Sequence, residues 1–342
     1  MNPLHDALRY LGEGLDLTRE QSREAVAQIM GGEVPEPMVA AFLTALRVRG
    51  ETPENLAGAV QAVRDRMVPL DSEGRVTPSL DTCGTGGDGA CSVNISTATA
   101  IVVAACGVPV TKHGNRSATG NSGSAEVLVE LGVSIEVDPT ILRRCRDDLG
   151  LTFLFAPMFH PALRFASPVR RQLPFRTLFN LIGPLVNPAL PTYQLIGVPL
   201  ERVGQLMARV IEQQGLQRAA IVTGADGLDE VSLGGPTKVL WVQDGSTRSL
   251  TWTPDTFGLP PVHADQLRVS GPAESAARIR DLFAGRPGPA RDTVLANSAA
   301  ALLVAGRVGD LREGVDTASR SIDTGAASSL LERWGRMSRG EA

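Results

Sequence analysis

The sequence contains few aromatic residues and almost no lysine. Aromatic side chains make up 4% of the 342 residues, so small aliphatic side chains must fill most of the interior. The hydrophobic share of 43% and the charged share of 20% are ordinary for a globular protein with a full core. Of the 33 basic residues only two are lysines, Lys112 and Lys238. A lysine kept in such an arginine-rich chain favours a role that needs a compact ammonium charge.

The cysteine and histidine patterns exclude two classes of site. Cys83, Cys91, Cys106 and Cys145 include no C-x-x-C pair, and the four histidines do not cluster with them. These spacings argue against a zinc site, and a disulfide framework is not expected in a chain this long. We therefore expect reduced thiols in a cytoplasmic protein.

No apolar run is long enough to span a membrane. The most apolar stretch, 101–110, falls far short of the roughly 20 residues that a spanning helix needs. A basic start followed by an apolar run is also lacking, so we expect no signal peptide. The net charge of -4 argues against a broad basic face for nucleic acid, although it allows a local anion pocket. The expected partners are small molecules rather than nucleic acid or membrane.

The first 70 residues have the pattern of amphipathic helices. Thr18 is followed by Gln21, which is a capping box, and a threonine–proline pair opens a later helix at 52–53. The apolar spacing predicts three helices joined by short turns. We therefore predict a small helical domain over 1–75, completed by helices within 160–187.

From about residue 78, strand-like runs alternate with helix-like runs. This alternation predicts an α/β domain over 76–342 with a mostly parallel sheet flanked by helices. The last 50 residues, from Arg291, are expected to be helical. The strands are expected at 108–111, 133–137, 152–155, 193–198, 219–223 and 239–242.

A glycine-rich loop follows the first expected strand, and ligands of parallel sheets bind at the carboxyl ends of strands. The loop CGTGGDG at 83–89 lets backbone N–H groups converge on an anion, and the helix that begins near Ser96 adds its positive end. Asn94 and Thr97 add polar groups there. Together these features suit a diphosphate, while the alternative is a glycine turn with an ordinary helix cap. The spacing matches neither a P-loop nor a Rossmann fingerprint.

Two further loops carry charge. The segment 112–124 contains Lys112, several hydroxyls and glycines, which fits a second phosphate site. His113 by itself is better explained as a structural hydrogen-bonding group than as a proton-transfer group. Adjacent carboxylates at Asp229 and Glu230 suit Mg²⁺, which prefers oxygen ligands, or else form a solvated acidic turn. Beside two phosphate loops the metal interpretation is the better one, and a phosphorylated sugar diphosphate fits all three loops.

Eight segments of the chain resemble those of anthranilate phosphoribosyltransferases. They are GTGGDG followed by NIST, KHGNRS, SGSAEVL, FHPALR followed by VRRQL, RTLFNLIGPLVNP, GLDEVS, AAFLTALRVRGET and VLANSAAALLVAG. The resemblance covers nearly the whole chain. It implies the nucleoside phosphorylase/phosphoribosyltransferase class of fold, with a helical domain and a phosphoribosyl-diphosphate-binding α/β domain. It also implies Mg²⁺ as cofactor, a homodimer, and transfer of a phosphoribosyl group from phosphoribosyl pyrophosphate to anthranilate in tryptophan biosynthesis.

The resemblance also implies roles for individual residues. Ser96, Asp229 and Glu230 would bind the metal, while Gly84, Asn115 and Arg170 would bind anthranilate, with Arg170 on its carboxylate. Catalysis would need no obligatory general base and would be electrostatic, with Lys112 and Asp88 contributing. The residues implied for phosphoribosyl pyrophosphate are Gly84, Gly87, Asp88, Ser92, Asn94, Ile95, Ser96, Thr97, Lys112, His113, Gly114, Asn115, Arg116, Ser117, Ala118, Thr119, Gly120 and Ser124.

The sequence departs from the family pattern at a few positions. Asn121, Glu126 and Pro174 stand where lysine or arginine, aspartate and glycine are usual, and 118–120 replaces a V-S-S-type run. Two other functions stay open on the sequence. One is a pyrimidine nucleoside phosphorylase-like enzyme, whose phosphate-loop strings differ, and the other is a nucleic-acid-binding member of the family, against which the acidic balance counts.

Overall fold

The computed structural model describes residues 2–71, 77–117 and 122–341. The chain begins with helices α1 (Pro3–Gly12), α2 (Arg19–Ile29), α3 (Glu36–Arg49) and α4 (Pro53–Arg64). The capping box of α2 is confirmed, because the Thr18 hydroxyl accepts from Gln21 N while the Gln21 side chain accepts from Thr18 N. The first of the four helices was not among the three expected. The predicted boundary at 75/76 lies at residues outside the described ranges and stays a prediction.

A seven-stranded sheet forms the centre of the described α/β region, in the order β3-β2-β1-β4-β5-β6-β7. The first five of these in spatial order are parallel, and β6 and β7 are antiparallel. The strands are β1 (Leu80–Asp81), β2 (Val110–Gly114), β3 (Leu151–Phe155), β4 (Tyr193–Gly197), β5 (Arg218–Gly224), β6 (Thr237–Gln243) and β7 (Ser246–Trp252). The predicted fold, a helical N-terminal domain with a mostly parallel sheet, is confirmed.

Helices cover both faces of the sheet. They are α5 (Ile95–Ala105), α6 (Ser124–Glu130), α7 (Pro139–Leu149), α8 (Ala156–Phe159), α9 (Ser167–Gln172), α10 (Phe179–Ile182), α11 (Glu201–Glu212), α12 (Pro254–Phe257), α13 (Pro272–Phe283), α14 (Pro289–Val304), α15 (Leu311–Asp323) and α16 (Ala326–Ser338). One apolar core lies between the sheet and α5, α14 and α16. A second core joins α1–α4 to α9, α10, α11 and the other face of the sheet. The helical region and the sheet therefore share buried side chains.

Two expectations about strands are wrong. The segment 133–137 is not a strand, because β2 and β3 pair directly and leave no position between them. Its first amide instead closes the preceding helix, with Val133 N donating to Leu128 O at 2.9 Å. Lys112 and His113, expected in a loop, lie within β2, where they pair with Phe153 and Leu154 of β3.

Among the described residues, none of the helices combines the length and the apolar character needed to cross a membrane.

Candidate active site

The loops that follow β1, β2 and β5 begin at the same end of the sheet. These strands and β4 between them run parallel, so their carboxyl ends point the same way. We call residues 82–94 the glycine loop, 115–123 the second loop and 225–236 the acidic loop. The positions of these loops follow from strand order alone, and each carries residues that the sequence marks as site candidates.

The glycine loop has a backbone that ordinary side chains disfavour. Gly86, Gly87 and Gly89 have positive φ angles of 64°, 78° and 74°. The Asp88 side chain closes the turn by accepting from Ala90 N at 3.0 Å. Arg176 braces the loop from outside, donating to Thr85 O at 2.7 Å and also to Gly86 O. The positive φ favours glycine at position 87, and a Cβ there would also lie 2.4 Å from Arg176 Nη1, which would have to shift.

Helix α5 begins where the glycine loop ends. Asn94 caps it, since its side-chain oxygen accepts from Thr97 N at 3.1 Å. Asn94 N donates to Ser275 Oγ of α13 at 2.9 Å, and the backbone of Ser92 forms an isolated antiparallel β-bridge with that of Arg268. Helix α13 and the segment before it therefore hold this end of the loop. The Ser96 N–H of the first turn hydrogen-bonds to the Glu230 carboxylate, so negative charge already lies at the positive end of this helix.

Lys112 lies beneath the glycine loop with 2% of its surface exposed. Its ammonium donates to Thr82 O at 2.7 Å and to Ser96 Oγ at 3.1 Å. Burial raises the pKa values of Asp81 and Glu230, and the charge of Lys112 partly offsets that rise. Lys112 therefore ties β2 to the glycine loop and to α5, and supplies positive charge from below.

The acidic loop brings two buried carboxylates toward the glycine loop. Burial, and next the charge of Asp88, raise the pKa of Asp229 to about 7. Burial, and next the charge of Asp229, also raise the pKa of Glu230 well above its usual value. A Cβ on Gly84 would lie 3.2 Å from Asp229 Oδ2, so the two loops touch. A cation bound between these buried carboxylates would reduce the repulsion between their charges.

The donor set fits a metal that also takes ligands from a substrate. Among the described residues, no group of three or more His, Cys, Asp or Glu side chains is arranged to hold a metal ion by itself. Magnesium usually binds through one or two carboxylates together with substrate phosphates and waters. Asp229 and Glu230 fit that pattern, and Ser96, whose hydroxyl accepts from Lys112, lies at the adjoining end of α5.

The second loop is organised by hydrogen bonds across its ends. Asn115 Oδ1 accepts from Arg116 N at 2.7 Å, and Ser124 Oγ donates to Asn115 O at 3.3 Å. The Glu126 carboxylate accepts from Ser117 N at 3.2 Å, so the glutamate that departs from the family pattern has a clear role here. Of the predicted substrate residues, Ala118, Thr119 and Gly120 lie outside the described residues, as does Asn121.

Gly114 ends β2, next to the second loop. A Cβ there would lie 2.4 Å from Ser124 Oγ, so this predicted substrate residue must be glycine for packing.

Arg170, the predicted carboxylate partner, projects from α9. Burial lowers the pKa of its guanidinium, and its Nε has no hydrogen-bond partner within the described part of the chain. The guanidinium carbon lies 5.6 Å from the centroid of the Phe179 ring. A half-buried guanidinium beside an aromatic ring, with an unused buried donor, suits a planar aromatic carboxylate.

The rings of two buried histidines, His113 in β2 and His160 after α8, meet edge to face. The rings of His113 and His160 lie 5.1 Å apart, centroid to centroid, at 65°. His113 Nδ1 lies 3.0 Å from Gly183 O, so Nδ1 must be the protonated nitrogen. Burial lowers the pKa of His113 to about 3 and that of His160 to about 4, so both rings are neutral at physiological pH.

His113→Asn is expected to change how stability depends on pH. The native chain keeps His113 neutral down to about pH 3, whereas the unfolded chain takes up the proton below about pH 6.5. Native stability relative to the variant should therefore fall by about 1.4 kcal/mol for each pH unit between about 6.5 and 3. Urea unfolding of both proteins across this range measures the difference, and parallel curves would contradict a buried neutral histidine.

Several organising residues had no role in the sequence-based prediction. Asp81 accepts from His113 N at 3.1 Å and from Asn187 Nδ2 at 2.8 Å, which links β1, β2 and the segment after α10. Arg176 and Asp226 brace the glycine and acidic loops, and Asp226 Oδ2 accepts from Ser232 Oγ at 2.6 Å. Asn187 and Arg176 lie in the RTLFNLIGPLVNP string, which was their only sequence signal.

The chain is similar to proteins of one family along almost its full length. Residues 5–67 match the glycosyl transferase family, helical bundle domain, and residues 76–328 match the glycosyl transferase family, a/b domain. An anthranilate phosphoribosyltransferase of Thermomicrobium roseum is 47% identical over 325 residues, covering 94% of this chain and 92% of its own. One from Rhodopirellula baltica is 47% identical over 328 residues, covering 96% and 95%.

Solved structures are similar in fold as well. The crystal structure of anthranilate phosphoribosyltransferase from Thermus thermophilus superposes with a TM-score of 0.91 at 39% identity, covering 99% of this chain and 100% of that one. The Saccharomyces cerevisiae enzyme in complex with PRPP and Mg has a TM-score of 0.89 at 27% identity, with 98% of each chain covered. The yeast enzyme in complex with 4-fluoroanthranilate has a TM-score of 0.88, again with 98% of each chain covered.

Proposed function

The chain belongs to the anthranilate phosphoribosyltransferases of the glycosyl transferase family. We propose that the three loops at the carboxyl ends of β1, β2 and β5 form its active site. The enzyme transfers the 5-phosphoribosyl group from phosphoribosyl pyrophosphate to the amino group of anthranilate. The products are N-(5-phosphoribosyl)anthranilate and pyrophosphate, in tryptophan biosynthesis. Neither the phosphorylase nor the nucleic-acid-binding alternative is favoured by the relatives.

One observation carries the assignment of the site. The positive-φ glycines, the start of α5, the buried Lys112 and the carboxylates Asp229 and Glu230 converge at one edge of the sheet. We propose that the glycine loop and the first turn of α5 hold the diphosphate through backbone N–H groups. The second loop, from Asn115, covers the rest of the sugar phosphate.

Magnesium is proposed as the cofactor, supported by the yeast relative that contains PRPP and Mg. Asp229 and Glu230 would hold it, with Ser96 nearby, and substrate phosphates would complete its shell. The bound ion would stabilise negative charge that develops on departing pyrophosphate. The buried, mutually repelling carboxylates support this role, since burial raises the pKa of both.

The reaction breaks the bond from ribose C1 to pyrophosphate oxygen and forms a bond from C1 to the anthranilate nitrogen, which then loses one proton. The chain's residues contribute mainly orientation and preorganised charge. Backbone N–H groups of the glycine loop hold the leaving group, and Lys112 maintains positive potential beneath it. Arg170 orients the acceptor through its carboxylate. No side chain is assigned as an obligatory general base.

Arg170→Ala is expected to raise KM for anthranilate by about 10- to 100-fold, because a charge-assisted hydrogen bond contributes about 1.5–3 kcal/mol. KM for phosphoribosyl pyrophosphate should change little. Arg171→Ala, which removes an exposed neighbour on the same helix, is the matched control and should leave both constants unchanged. Steady-state kinetics with each substrate varied decides the matter, and an equal rise in both KM values would exclude Arg170 as the carboxylate partner.

The function itself has a direct test. Protein, anthranilate, phosphoribosyl pyrophosphate and Mg²⁺ are mixed, and the loss of anthranilate fluorescence is followed. Omission of each component in turn should stop the signal. If anthranilate is not consumed while a pyrimidine nucleoside and inorganic phosphate are converted, the phosphorylase alternative replaces this function.

A homodimer that works in the cytoplasm is also proposed. The helical region exposes apolar side chains at Leu15, Val48 and Phe165, with Val48 81% exposed, which suits contact with a second copy. None of the four cysteines, all of which lie within the described residues, forms a disulfide, which suits a reducing compartment. Light scattering should give twice the chain mass of 36.1 kDa, and a value equal to one chain would contradict the dimer.

A further inference from the structure

Asn297, in the middle of α14, is completely buried at 0% exposure and makes three hydrogen bonds. Its Oδ1 accepts from Val231 N at 2.9 Å, and its Nδ2 donates to Val231 O at 2.9 Å. The second Nδ2 hydrogen bonds to Thr293 O, also at 2.9 Å, one turn earlier in the same helix. One amide side chain thus hydrogen-bonds to both the N–H and the C=O of a single residue in the acidic loop.

Apart from Thr293 and Ser298, the other buried side chains of α14 are apolar. Helix α14 buries alanine, valine and leucine side chains on its neighbouring positions, such as Ala296 and Ala300. An apolar side chain would pack there without the cost of burying an amide, which is offset only when the amide is fully hydrogen-bonded. Two of its three hydrogen bonds go to Val231, which points to control of the acidic loop.

Val231 directly follows the carboxylate pair Asp229 and Glu230. Holding its N–H and C=O fixes the peptide planes on both sides, and so fixes the direction in which the Glu230 side chain leaves the chain. A Cβ on Gly197 would lie only 1.5 Å from Asp229 O, so the end of β4 contacts the same dipeptide. The backbone around the carboxylates is therefore contacted both by the end of β4 and by α14.

We propose that Asn297 is a positioning residue for the cation site, which fixes Asp229 and Glu230 so that their oxygens can share one divalent ion with the diphosphate. The inference rests on the proposed role of these carboxylates as magnesium ligands. Side chains that orient metal ligands without touching the ion typically change metal affinity by about 10- to 100-fold when they are removed.

The test compares Asn297→Ala and Asn297→Ser with Thr293→Val. Thr293 is also buried on the same helix, and its hydroxyl donates to Pro289 O at 2.9 Å. Thr293→Val therefore removes one buried hydrogen bond that does not involve the acidic loop. Binding of Mn²⁺, a paramagnetic substitute for magnesium, is followed by electron paramagnetic resonance with phosphoribosyl pyrophosphate present. The Mg²⁺ concentration for half-maximal rate, KM for anthranilate and Tm are measured alongside.

We expect Asn297→Ala to weaken Mn²⁺ binding and to raise the half-saturating Mg²⁺ concentration by about tenfold or more. Asn297→Ser, which keeps one hydroxyl, should lie between it and the native protein, and decides the matter if Asn297→Ala does not fold. KM for anthranilate should stay within about twofold, since the acceptor site is separate. Thr293→Val should lower Tm while leaving metal binding unchanged.

The outcomes separate this inference from the proposed function. If the native protein binds Mn²⁺ and the Asn297 variants bind it equally well, Asn297 has only a structural role and the inference is overturned. An equal loss in Thr293→Val would overturn it too. If the native protein binds no Mn²⁺ in the presence of phosphoribosyl pyrophosphate, the metal site itself is wrong, and the role of Asn297 falls with it.

Discussion

Asp229→Asn combined with Glu230→Gln is expected to lower kcat/KM by about 10³-fold, because removal of one well-placed group that stabilises developing charge already costs about 10²–10³. The dependence of the rate on magnesium should flatten at the same time. Steady-state rates over a range of Mg²⁺ concentrations give both quantities. Glu332→Gln, at an exposed acid on α16, is the control and should behave as the native enzyme.

The same double variant should gain stability in metal-free buffer. Burial raises the pKa of both acids in the folded state, so their ionised forms oppose folding, and increasingly so as pH rises above about 4. Neutral amides lack that charge. An inactive variant with an unchanged or higher Tm at pH 8 would therefore separate loss of function from loss of fold. A double variant with a normal response to magnesium would remove these carboxylates from the metal site.

Gly197→Ala is expected to be the most damaging single methyl addition at the site. The added carbon would lie 1.5 Å from Asp229 O and 2.4 Å from Asp229 C, and both are backbone atoms that cannot rotate away. Relief requires the acidic loop to move by more than about 1 Å, and a displacement of that size costs about 100-fold in rate. Overpacking should also reduce the free energy of unfolding by about 1–3 kcal/mol.

Gly204→Ala is the matched control for this prediction. Gly204 lies on α11, soon after β4, and an added Cβ would meet its neighbours at 3.4–3.5 Å, which is ordinary contact. It should be nearly neutral for activity and stability. Kinetics and urea unfolding of both variants test the contrast, and a Gly197→Ala enzyme with native activity would show that the position of Asp229 does not matter.

Local signals in the sequence were sufficient for many elements of the fold. The capping box at Thr18, the end of α7 at Gly150 in the left-handed conformation and the start of α5 after Asn94 were all visible, because each depends on residues a few positions apart. The strand predicted at 133–137 was wrong because alternating apolar residues indicate only that one side of a segment is buried. An irregular segment can also bury one side, as this one does.

The candidate site was visible in the sequence only as separate strings. The glycine loop, Lys112 and the Asp229–Glu230 pair could each be singled out by composition. Arg176 and Asn297 could not, since arginine in a loop and asparagine in a helix have many ordinary uses. Their roles follow from contacts across long stretches of chain, such as Arg176 with Thr85 and Asn297 with Val231.

The sequence by itself determined the class of fold, the family, and the loops that carry glycine, ammonium and carboxylate groups. These properties depend on backbone preferences and on side-chain chemistry that act over a few neighbouring residues. Only the tertiary structure decided that Lys112 lies buried within β2 and donates to Thr82 and Ser96 rather than standing in an open loop. Sheet order and helix packing bring distant residues together, and no local pattern encodes which polar atom is then left to face the ligand.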